Sequence, residues 1–279
     1  MKCFEVVLKV LDATYAEIPG SEEVRDAAIS KALTKMSYQY KHQLLTGGGP
    51  DFSDPVTRFA YVFRYVPSHS HWLYELITWS PDAQAVFDSQ RLRMTCLGGG
   101  PGSDLVGVLK YMSKSSKSPA LFCEIVDGCL QWKQTWSDLA FSLDWQSPVH
   151  TDYVIHNVTD KGTWNAPSSF AKSDIFTINF FASEIFHFGQ CATEYLTTAL
   201  AQAKVGALVF LNDNNYSDFY NWVDGIAINA GFGQLMAGDG MRKIYDKNER
   251  LSELGHYAQK FHGQSRLTGQ LAWRVFKKM

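Results

Sequence analysis

The amino-acid sequence predicts an α/β fold: a seven-stranded, mostly parallel sheet with helices on both faces, preceded by an N-terminal helical extension. Apolar residues recur at helical spacing through the first 90 residues. From residue 91 onward, short apolar runs alternate with helical segments, as in a parallel sheet that is covered on both faces. A glycine cluster lies where the first of these runs meets a helix. We therefore divide the chain into a helical cap, residues 1–90, and an α/β domain, residues 91–279.

The cap is predicted to contain several helices that proline and glycine separate. Pro19-Gly20 ends the first helix, and Ser21 is placed to cap the second. The segment Gly47-Gly48-Gly49-Pro50 interrupts the helical pattern, and Asp54-Pro55 starts it again. We expect Pro67 to end this third helix, because proline removes a backbone donor and clashes with the preceding turn.

The sheet is predicted from seven apolar runs. The last of them is interpreted as an added edge strand. On the helix after the first strand, Lys110, Lys114 and Lys117 are expected to form a solvated face. Helices are expected near 104–114, 128–142 and 184–203. Strands are expected near 93–97, 120–125, 153–157, 174–180, 207–211, 232–236 and 268–276.

The stretch Thr95–Asp104, with the sequence TCLGGGPGSD, is the most informative segment. Gly98, Gly100 and Gly102 permit positive φ and place no Cβ in the way of a ligand. After the second apolar run stands Glu124, a carboxylate that can accept hydrogen bonds from both hydroxyls of a ribose. No Lys-Ser or Lys-Thr pair follows the glycines, which excludes a P-loop. The pattern of strand, glycine turn, helix, strand and acid predicts a site for a nucleotide-like ligand.

At these residues the chain resembles the class I S-adenosylmethionine-dependent methyltransferases, which bind S-adenosyl-L-methionine on a Rossmann-like sheet. Their GxGxG turn after the first strand is matched by Gly98, Gly100 and Gly102, and the acid that ends their second strand is matched by Glu124. The resemblance covers the α/β domain as a pattern of elements, and motif identity is confined to residues 95–124. It implies a methyltransferase with S-adenosyl-L-methionine as its cofactor.

Three further residues are assigned to cofactor binding. The family often carries an acid two residues before the first glycine, where this chain has Cys96, and Asp104 is a candidate substitute. Asn157, in the loop after the third strand, is placed to bond the adenine amino group, and an ordinary polar loop explains it equally well. Phe180 can pack against the sulfonium cation or the adenine. A core position for Phe180 or Phe181 is the alternative, because successive side chains of a strand alternate between its faces.

The candidate catalytic residues are Asn179, Glu184 and His187. Amino-group methyltransferases of this fold often carry Asn or Asp, two prolines and an aromatic after the fourth strand; this chain has Asn179 and the aromatics but neither proline. Glu184 and His187 are three residues apart on a predicted helix, so they share a face and are candidates for the base that takes the acceptor's proton. The alternative for Glu184 is a favourable charge at the helix N-terminus.

The methyl acceptor is expected to offer a nucleophilic N or O atom, and its identity stays open. The formal net charge of −2 provides no basic surplus for nucleic acid, so a small molecule is favoured over an RNA base. The polar loop at residues 212–216 is a candidate acceptor pocket or an ordinary turn. Arg58, Tyr61 and Tyr65 are interpreted as packing and solvating their helix rather than as a lid over the cofactor.

The composition indicates a globular protein with a sizeable core, since hydrophobic residues make up 46% and charged residues 19% of the chain. Five cysteines without a CxxC pair indicate a reducing compartment, the cytoplasm, with the nucleus left open. No uncharged apolar run reaches about 18 residues, so no membrane span is expected. The histidines form no HExxH motif, and no catalytic metal is expected.

Two other functions compete with the methyltransferase. A nicotinamide-dependent oxidoreductase would carry glycine at the sixth position of its fingerprint, where this chain has Ser103. A non-catalytic scaffold is compatible with Cys96 and with the missing prolines after Asn179, because fold alone does not fix function.

Overall fold

Seven strands form one sheet in the computed structural model, which describes residues 1–43, 47, 49–143, 145, 148–165, 170–261, 266 and 268–279. Each strand coincides with one of the predicted apolar runs, with shifted ends. The strands are β1 (Arg91–Leu97), β2 (Ala120–Asp127), β3 (Val149–Ile155), β4 (Ile175–Asn179), β5 (Leu208–Asn214), β6 (Phe232–Lys243) and β7 (Thr268–Lys278).

The strand order is β3–β2–β1–β4–β5–β7–β6, with β1 to β5 parallel and β7 antiparallel to both of its neighbours. The predicted mostly parallel, seven-stranded sheet is thereby confirmed. The expectation that the last strand forms the edge is wrong, because β7 lies between β5 and β6, and β6 is the edge strand. The chain leaves β1 toward β2 on one side and returns to β4 on the other. The carboxyl ends of β1 and β4 therefore form the switch point at which such sheets bind ligands.

The described helices cover both faces of the sheet and form the N-terminal cap. Asp54 caps α3 as predicted, accepting from the backbone N–H groups of Val56 and Thr57 at 3.1 and 3.3 Å. The helices are α1 (Cys3–Glu17), α2 (Glu22–His42), α3 (Pro55–Trp79), α4 (Pro81–Val86), α5 (Ser103–Ser115), α6 (Trp132–Ser142), α7 (Ala182–Ile185), α8 (Gln190–Ala201), α9 (Ser217–Asn229) and α10 (His256–Lys260).

Three helix boundaries differ from the predictions. Pro67 lies inside α3 instead of ending it; both halves of α3 are buried, so tertiary packing outweighs the lost backbone bond. The helix expected at 184–203 is broken at Gly189, whose φ and ψ of 58° and −118° separate a turn at 186–188 from α8. Helix α9 is absent from the predicted helices, and it forms because Phe219, Val223 and Ile226 supply a buried stripe at helical spacing.

The cap helices share a hydrophobic core with the sheet. Phe63 of α3 and Val7 of α1 are fully buried in the same cluster as Met94 of β1. Gly107 of α5 allows α5 and α3 to pack closely, because a Cβ at Gly107 would lie 2.5 Å from the backbone oxygen of Ser70. No described helix is both long and apolar enough to cross a membrane. The cap is therefore part of the structure that surrounds the sheet, and His69 of α3 lies at the carboxyl end of β4, where its ring stacks on Phe180.

Lys110 is the largest exception to the predicted solvated face of α5. The side chain is fully buried, with Nζ 3.1 Å from Asp246 Oδ2, in contact with Glu249 and 3.4 Å from Nδ1 of His71. Lys114 adds a bond of 2.8 Å to the same carboxylate of Asp246. The segment after β6 returns over α5 and supplies both acids, and a buried ammonium is tolerated only with such partners.

Candidate functional site

The glycine turn has the backbone conformation that the sequence predicts. Gly98, Gly100 and Gly102 have φ values of +64°, +44° and +79°, a region that residues with a Cβ rarely enter. The N–H of Gly98 donates to the carbonyl oxygen of Val126 at 2.8 Å, which ties the turn to the end of β2. The turn thus lies at the carboxyl ends of two neighbouring parallel strands.

The three glycines have different surroundings. A Cβ on Gly98 would lie 2.0 Å from the ring of Phe181, and one on Gly102 would lie 2.1 Å from the ring of Trp136. At Gly100 the nearest atoms are on Trp132, at 3.7 Å. Gly98 and Gly102 therefore allow aromatic rings to approach the backbone, whereas Gly100 is the glycine of the three that has space for a Cβ, in ordinary van der Waals contact with Trp132.

We expect Gly102→Ala and Gly100→Ala to have different consequences. The Gly102→Ala methyl group would overlap the Trp136 ring at a positive φ, so the variant should lose about 1–3 kcal/mol of unfolding free energy. Gly100→Ala should fold with a smaller loss and bind S-adenosylmethionine more weakly. Urea unfolding and ligand titration of both variants measure this; equal stability losses would contradict the assignment of space to Gly100.

The acid at the end of β2 is Asp127, and the expectation that Glu124 ends this strand is wrong. Pairing with β3 extends β2 through Asp127, which lies opposite Ile155. Oδ2 of Asp127 accepts the N–H of Gly100 at 2.9 Å, and Oδ1 accepts the N–H of Cys129 at 2.8 Å. Burial raises the pKa of the Asp127 carboxyl to about 6, although these backbone hydrogen bonds act in the opposite direction. Asp127 is thus the carboxylate that contacts the glycine turn.

Glu124 lies within β2, opposite Thr95, and not at the strand's end. It lines a shallow cleft with Arg93, Phe122 and His150 on the sheet face. The ring of Phe122 stacks on His150 at a centroid distance of 4.6 Å. This cleft is separate from the glycine turn, so the ribose contact proposed for Glu124 has a better candidate in Asp127.

Asp104 links α5 to β4. Its carboxylate accepts a bond from the hydroxyl of Thr177 and one of 2.7 Å from Nδ2 of Asn179. The amide oxygen of Asn179 in turn accepts from Nδ2 of Asn212 at 2.8 Å. Both ends of the Asn179 amide are therefore engaged in a network that joins α5, β4 and β5. The network accounts for Asp104 and Asn179 without a cofactor or an acceptor.

We expect Asp104→Ala to act on stability more than on cofactor affinity. The substitution leaves the buried donors of Thr177 and Asn179 without an acceptor, which should cost about 1–3 kcal/mol. Thermal unfolding and S-adenosylmethionine titration of the folded variant measure the two effects separately. A hundredfold loss of affinity at unchanged stability would restore the cofactor role that the sequence suggested for Asp104.

Phe180 forms one wall of a narrow cavity beside the switch point. It adopts a positive φ of 57°, and its N–H donates to the carbonyl oxygen of Asn212 at 2.7 Å. Its ring stacks on His69 of α3 at 3.9 Å with an interplanar angle of 11°. The cavity is lined by Tyr40, Tyr61, Tyr65, His69, Phe180, Ser183, Glu184, Asn214 and Arg266.

Glu184 supplies the carboxylate of this cavity. The hydroxyl of Tyr40 donates to Oε1 of Glu184 at 2.6 Å. Burial raises the pKa of the Glu184 carboxyl to about 8, and the charges of Asp127 and Asp213 act in the same direction. His187 lies in the turn after α7, with its ring beside Phe188, and does not line the cavity. The two residues thus lie in consecutive helical segments and not on one α-helix, and a role for His187 as the base stays a prediction.

Asn157 is exposed in the loop after β3. Its side-chain oxygen accepts bonds of 2.9 Å from both the N–H and the hydroxyl of Thr159, and its carbonyl oxygen accepts from Trp164. These are the bonds of an Asx turn, which explains the residue locally. The adenine contact suggested for Asn157 stays a prediction.

The cap contributes side chains to the site, including Tyr61 and Tyr65, whose interpretation as residues that only pack and solvate their helix is incomplete. The rings of Phe52 and Tyr61 lie 4.9 and 5.5 Å from that of Trp132, next to Gly100. His69 is 2% exposed, and its Nε2 has no hydrogen-bond partner. Spacing along α3 contained a signal: Tyr61, Tyr65 and His69 follow each other at four-residue intervals and share one face.

No three His, Cys, Asp or Glu residues within the described ranges are close enough together to hold a metal ion. His69 and His71 point to different surroundings: His69 stacks on Phe180, whereas His71 contacts Lys110. His262, another histidine of the sequence, lies outside the described residues.

Comparison with known proteins finds likeness in structure alone. No protein-family model and no curated sequence matches the chain. A S-adenosylmethionine-dependent methyltransferase from Methanosarcina mazei is 8% identical with a TM-score of 0.45, and the match covers 72% of this chain and 98% of that one. A candidate RNA methyltransferase from Pyrococcus horikoshii is 13% identical with a TM-score of 0.44, over 91% and 98% of the two chains. A plantazolicin methyltransferase in complex with S-adenosylhomocysteine is 12% identical with a TM-score of 0.38, over 99% and 96%.

These likenesses are distant, and the acceptors named for them differ. The sheet itself is more informative. Its seven strands are mostly parallel, with β7 antiparallel, as the resemblance to the class I methyltransferases predicts. The chain has the fold of the class I S-adenosylmethionine-dependent methyltransferases.

Proposed function

We propose that the protein is a S-adenosylmethionine-dependent methyltransferase that methylates an N or O atom of a small acceptor. One observation carries the proposal: the N–H of Gly100 bonds to the carboxylate of Asp127, at the carboxyl ends of β1 and β2. A glycine turn and an acid meet there, beneath the aromatic rings of Tyr61 and Trp132. This donor and acceptor set suits an adenosyl group, which offers two ribose hydroxyls and a flat base.

Three residues of this chain would contact the cofactor. Asp127 would accept hydrogen bonds from the ribose, since each of its oxygens has a lone pair beyond the one that the backbone uses. Tyr61 and Trp132 would pack against the base or the sulfonium. When bound, S-adenosylmethionine supplies an electrophilic methyl group, and S-adenosylhomocysteine remains after the methyl has moved to the acceptor.

Glu184 is the proposed base for the acceptor's proton. The carboxylate is held by Tyr40 in the cavity behind Phe180, and its raised pKa of about 8 favours proton uptake near neutral pH. The cavity has a volume of only about 10 Å³, so it would admit the nucleophilic atom of an acceptor and hold that atom in one position, which is what an in-line displacement requires. His187 and Asn179 have no part in this proposal.

Calorimetric titration with S-adenosylmethionine, S-adenosylhomocysteine and NADH tests the proposal. We expect saturable one-to-one binding of both adenosyl ligands and none of NADH. Binding of NADH alone would favour the oxidoreductase. Binding of no ligand would leave the glycine turn as a feature of the fold and would favour the scaffold.

A further inference from the structure

The cavity behind Phe180 lies next to a second, wider cleft. Four residues, Tyr40, Tyr65, Asn214 and Arg266, line both spaces. We call this cleft the mouth of the cavity. It is lined by Ser37, Tyr40, Lys41, Arg64, Tyr65, Asn214, Arg266 and Thr268.

The mouth carries positive charge, whereas the protein as a whole has a slightly negative net charge. Lys41, Arg64 and Arg266 all line it, and no Asp or Glu occurs among its described lining residues. The whole chain has a formal net charge of −2, so this local concentration of cations is not a consequence of general basicity.

Two of these cations are held in place by the fold. The backbone N–H of Arg266 donates to the carbonyl oxygen of Arg64 at 2.8 Å, which brings β7's leading segment against α3. The guanidinium of Arg266 bonds to Oδ1 of Asn214 at 3.2 Å and lies 5.7 Å from the Phe180 ring. Nε of Arg64 donates to the hydroxyl of Tyr65 at 3.2 Å. Arg266 thus stands between the inner cavity and the mouth.

The inner cavity offers an independent sign of a polar ligand. His69 lines the cavity and is only 2% exposed. Its Nε2 atom is therefore shielded from water, and it has no hydrogen-bond partner in the protein. A buried ring nitrogen without a partner costs free energy that a ligand's polar group would recover. The inner cavity has a volume of about 10 Å³, which is room for one polar atom beside His69 and Glu184, whereas the cleft outside it has a volume of about 450 Å³ and can hold the rest of a small molecule.

From this arrangement we infer that the acceptor is a small, flat molecule bearing a carboxylate or phosphate, whose anionic group Arg64 and Arg266 bind at the mouth. The inference rests on the proposed function, because it takes the cavity as the acceptor site. Its nucleophilic atom lies inward, near Glu184 and His69, and its anion faces Lys41 and the two arginines. Arginine favours carboxylate and phosphate through charge-assisted, two-pronged hydrogen bonds.

Binding of paired probes tests the inference in protein saturated with S-adenosylhomocysteine. The probes are 4-hydroxybenzoate and its neutral counterpart of similar shape, 4-hydroxybenzamide, with phenyl phosphate to separate carboxylate from phosphate recognition. We expect an anionic probe to bind at least about tenfold more tightly than the amide. Arg266→Gln and Arg64→Gln should each reduce that preference to about threefold or less, with unchanged affinity for S-adenosylhomocysteine.

The control variant is Lys172→Gln. Lys172 is exposed and lies just before the amino end of β4, whereas the mouth lies at the carboxyl ends of the strands. This variant should keep the full preference for the anionic probe. Equal binding of anion and amide, or no binding of any anionic probe, would overturn the inference. Salt-dependent binding of a short single-stranded RNA that both arginine variants lose, without an anion preference among the probes, would also overturn it and indicate a nucleic-acid acceptor. Failure to bind S-adenosylhomocysteine would instead count against the proposed function itself.

Discussion

Asp127→Asn is expected to lose S-adenosylmethionine affinity by about 100-fold or more, because hydrogen bonds to a charged carboxylate contribute more than those to a neutral amide. The amide would also direct an N–H₂ group at the N–H of Gly100 or of Cys129, both of which donate to Asp127. Equilibrium dialysis with labelled S-adenosylmethionine measures the loss. The melting temperature of the variant, determined alongside, separates lost binding from lost folding.

The raised pKa of Asp127 also implies that cofactor binding depends on pH. The pKa of Asp127 is raised to about 6, so its carboxylate is charged above that pH and protonated below it. Affinity of the native protein should therefore weaken as the pH falls below 6, and Asp127→Asn should show no such dependence. Glu124→Gln is the matched control, since Glu124 lies on the same strand but away from the turn. Loss of binding in Glu124→Gln with retention in Asp127→Asn would contradict the site.

Glu184→Gln is expected to reduce the rate of methyl transfer by roughly 100-fold or more with any acceptor that turns over, the usual range for removal of a general base. The amide oxygen can still accept the Tyr40 hydroxyl, so the geometry of the cavity is preserved. In the native protein the rate should rise with pH and level off above about 8, where Glu184 is deprotonated. An unchanged rate and pH profile in Glu184→Gln would exclude Glu184 as the base.

The pH dependence of the unfolding free energy tests the raised pKa of Glu184 without an acceptor. Its pKa is raised from 4.5 to about 8, so the folded protein holds this proton more tightly than the unfolded chain does. The stabilising contribution is complete below pH 4.5 and is lost as the pH rises toward 8. Relative to the native protein, Glu184→Gln should therefore gain about 2 kcal/mol between these pH values, allowing for partial exposure. A stability difference between Glu184→Gln and the native protein that stays constant from pH 4.5 to 8 would contradict the raised pKa of Glu184.

Local sequence patterns predicted the sheet and the glycine turn because both depend on short-range features. Alternating strand and helix periods located all seven strands, and the positive φ of Gly98, Gly100 and Gly102 follows from residue type. The position of the acid was harder to predict. The run ALFCEIVD contains two acids, and only its pairing with β3, through Asp127 and Ile155, shows which one ends the strand.

The candidate acceptor cavity depends on contacts that no local pattern contains. Tyr40 and Glu184 are 144 positions apart in the sequence, yet they share a hydrogen bond. Arg266 reaches the same space from the segment before β7. Lys110 was misplaced for the same reason, because the acids that allow its burial, Asp246 and Glu249, arrive from a segment after β6. Long-range packing therefore decided which polar residues belong to a site and which to the core.

A crystal structure of the protein with S-adenosylhomocysteine tests the central claim most directly. We predict the ribose beside the carboxylate of Asp127 and the ligand's base near Tyr61 and Trp132, with the Phe181 ring turned away from Gly98, against which it now packs. Such a structure would confirm that the turn, the acid and the cap form one cofactor site. Ligand bound instead in the cleft of Glu124 and His150, or absent from the carboxyl ends of β1 and β2 at saturating concentration, would contradict it.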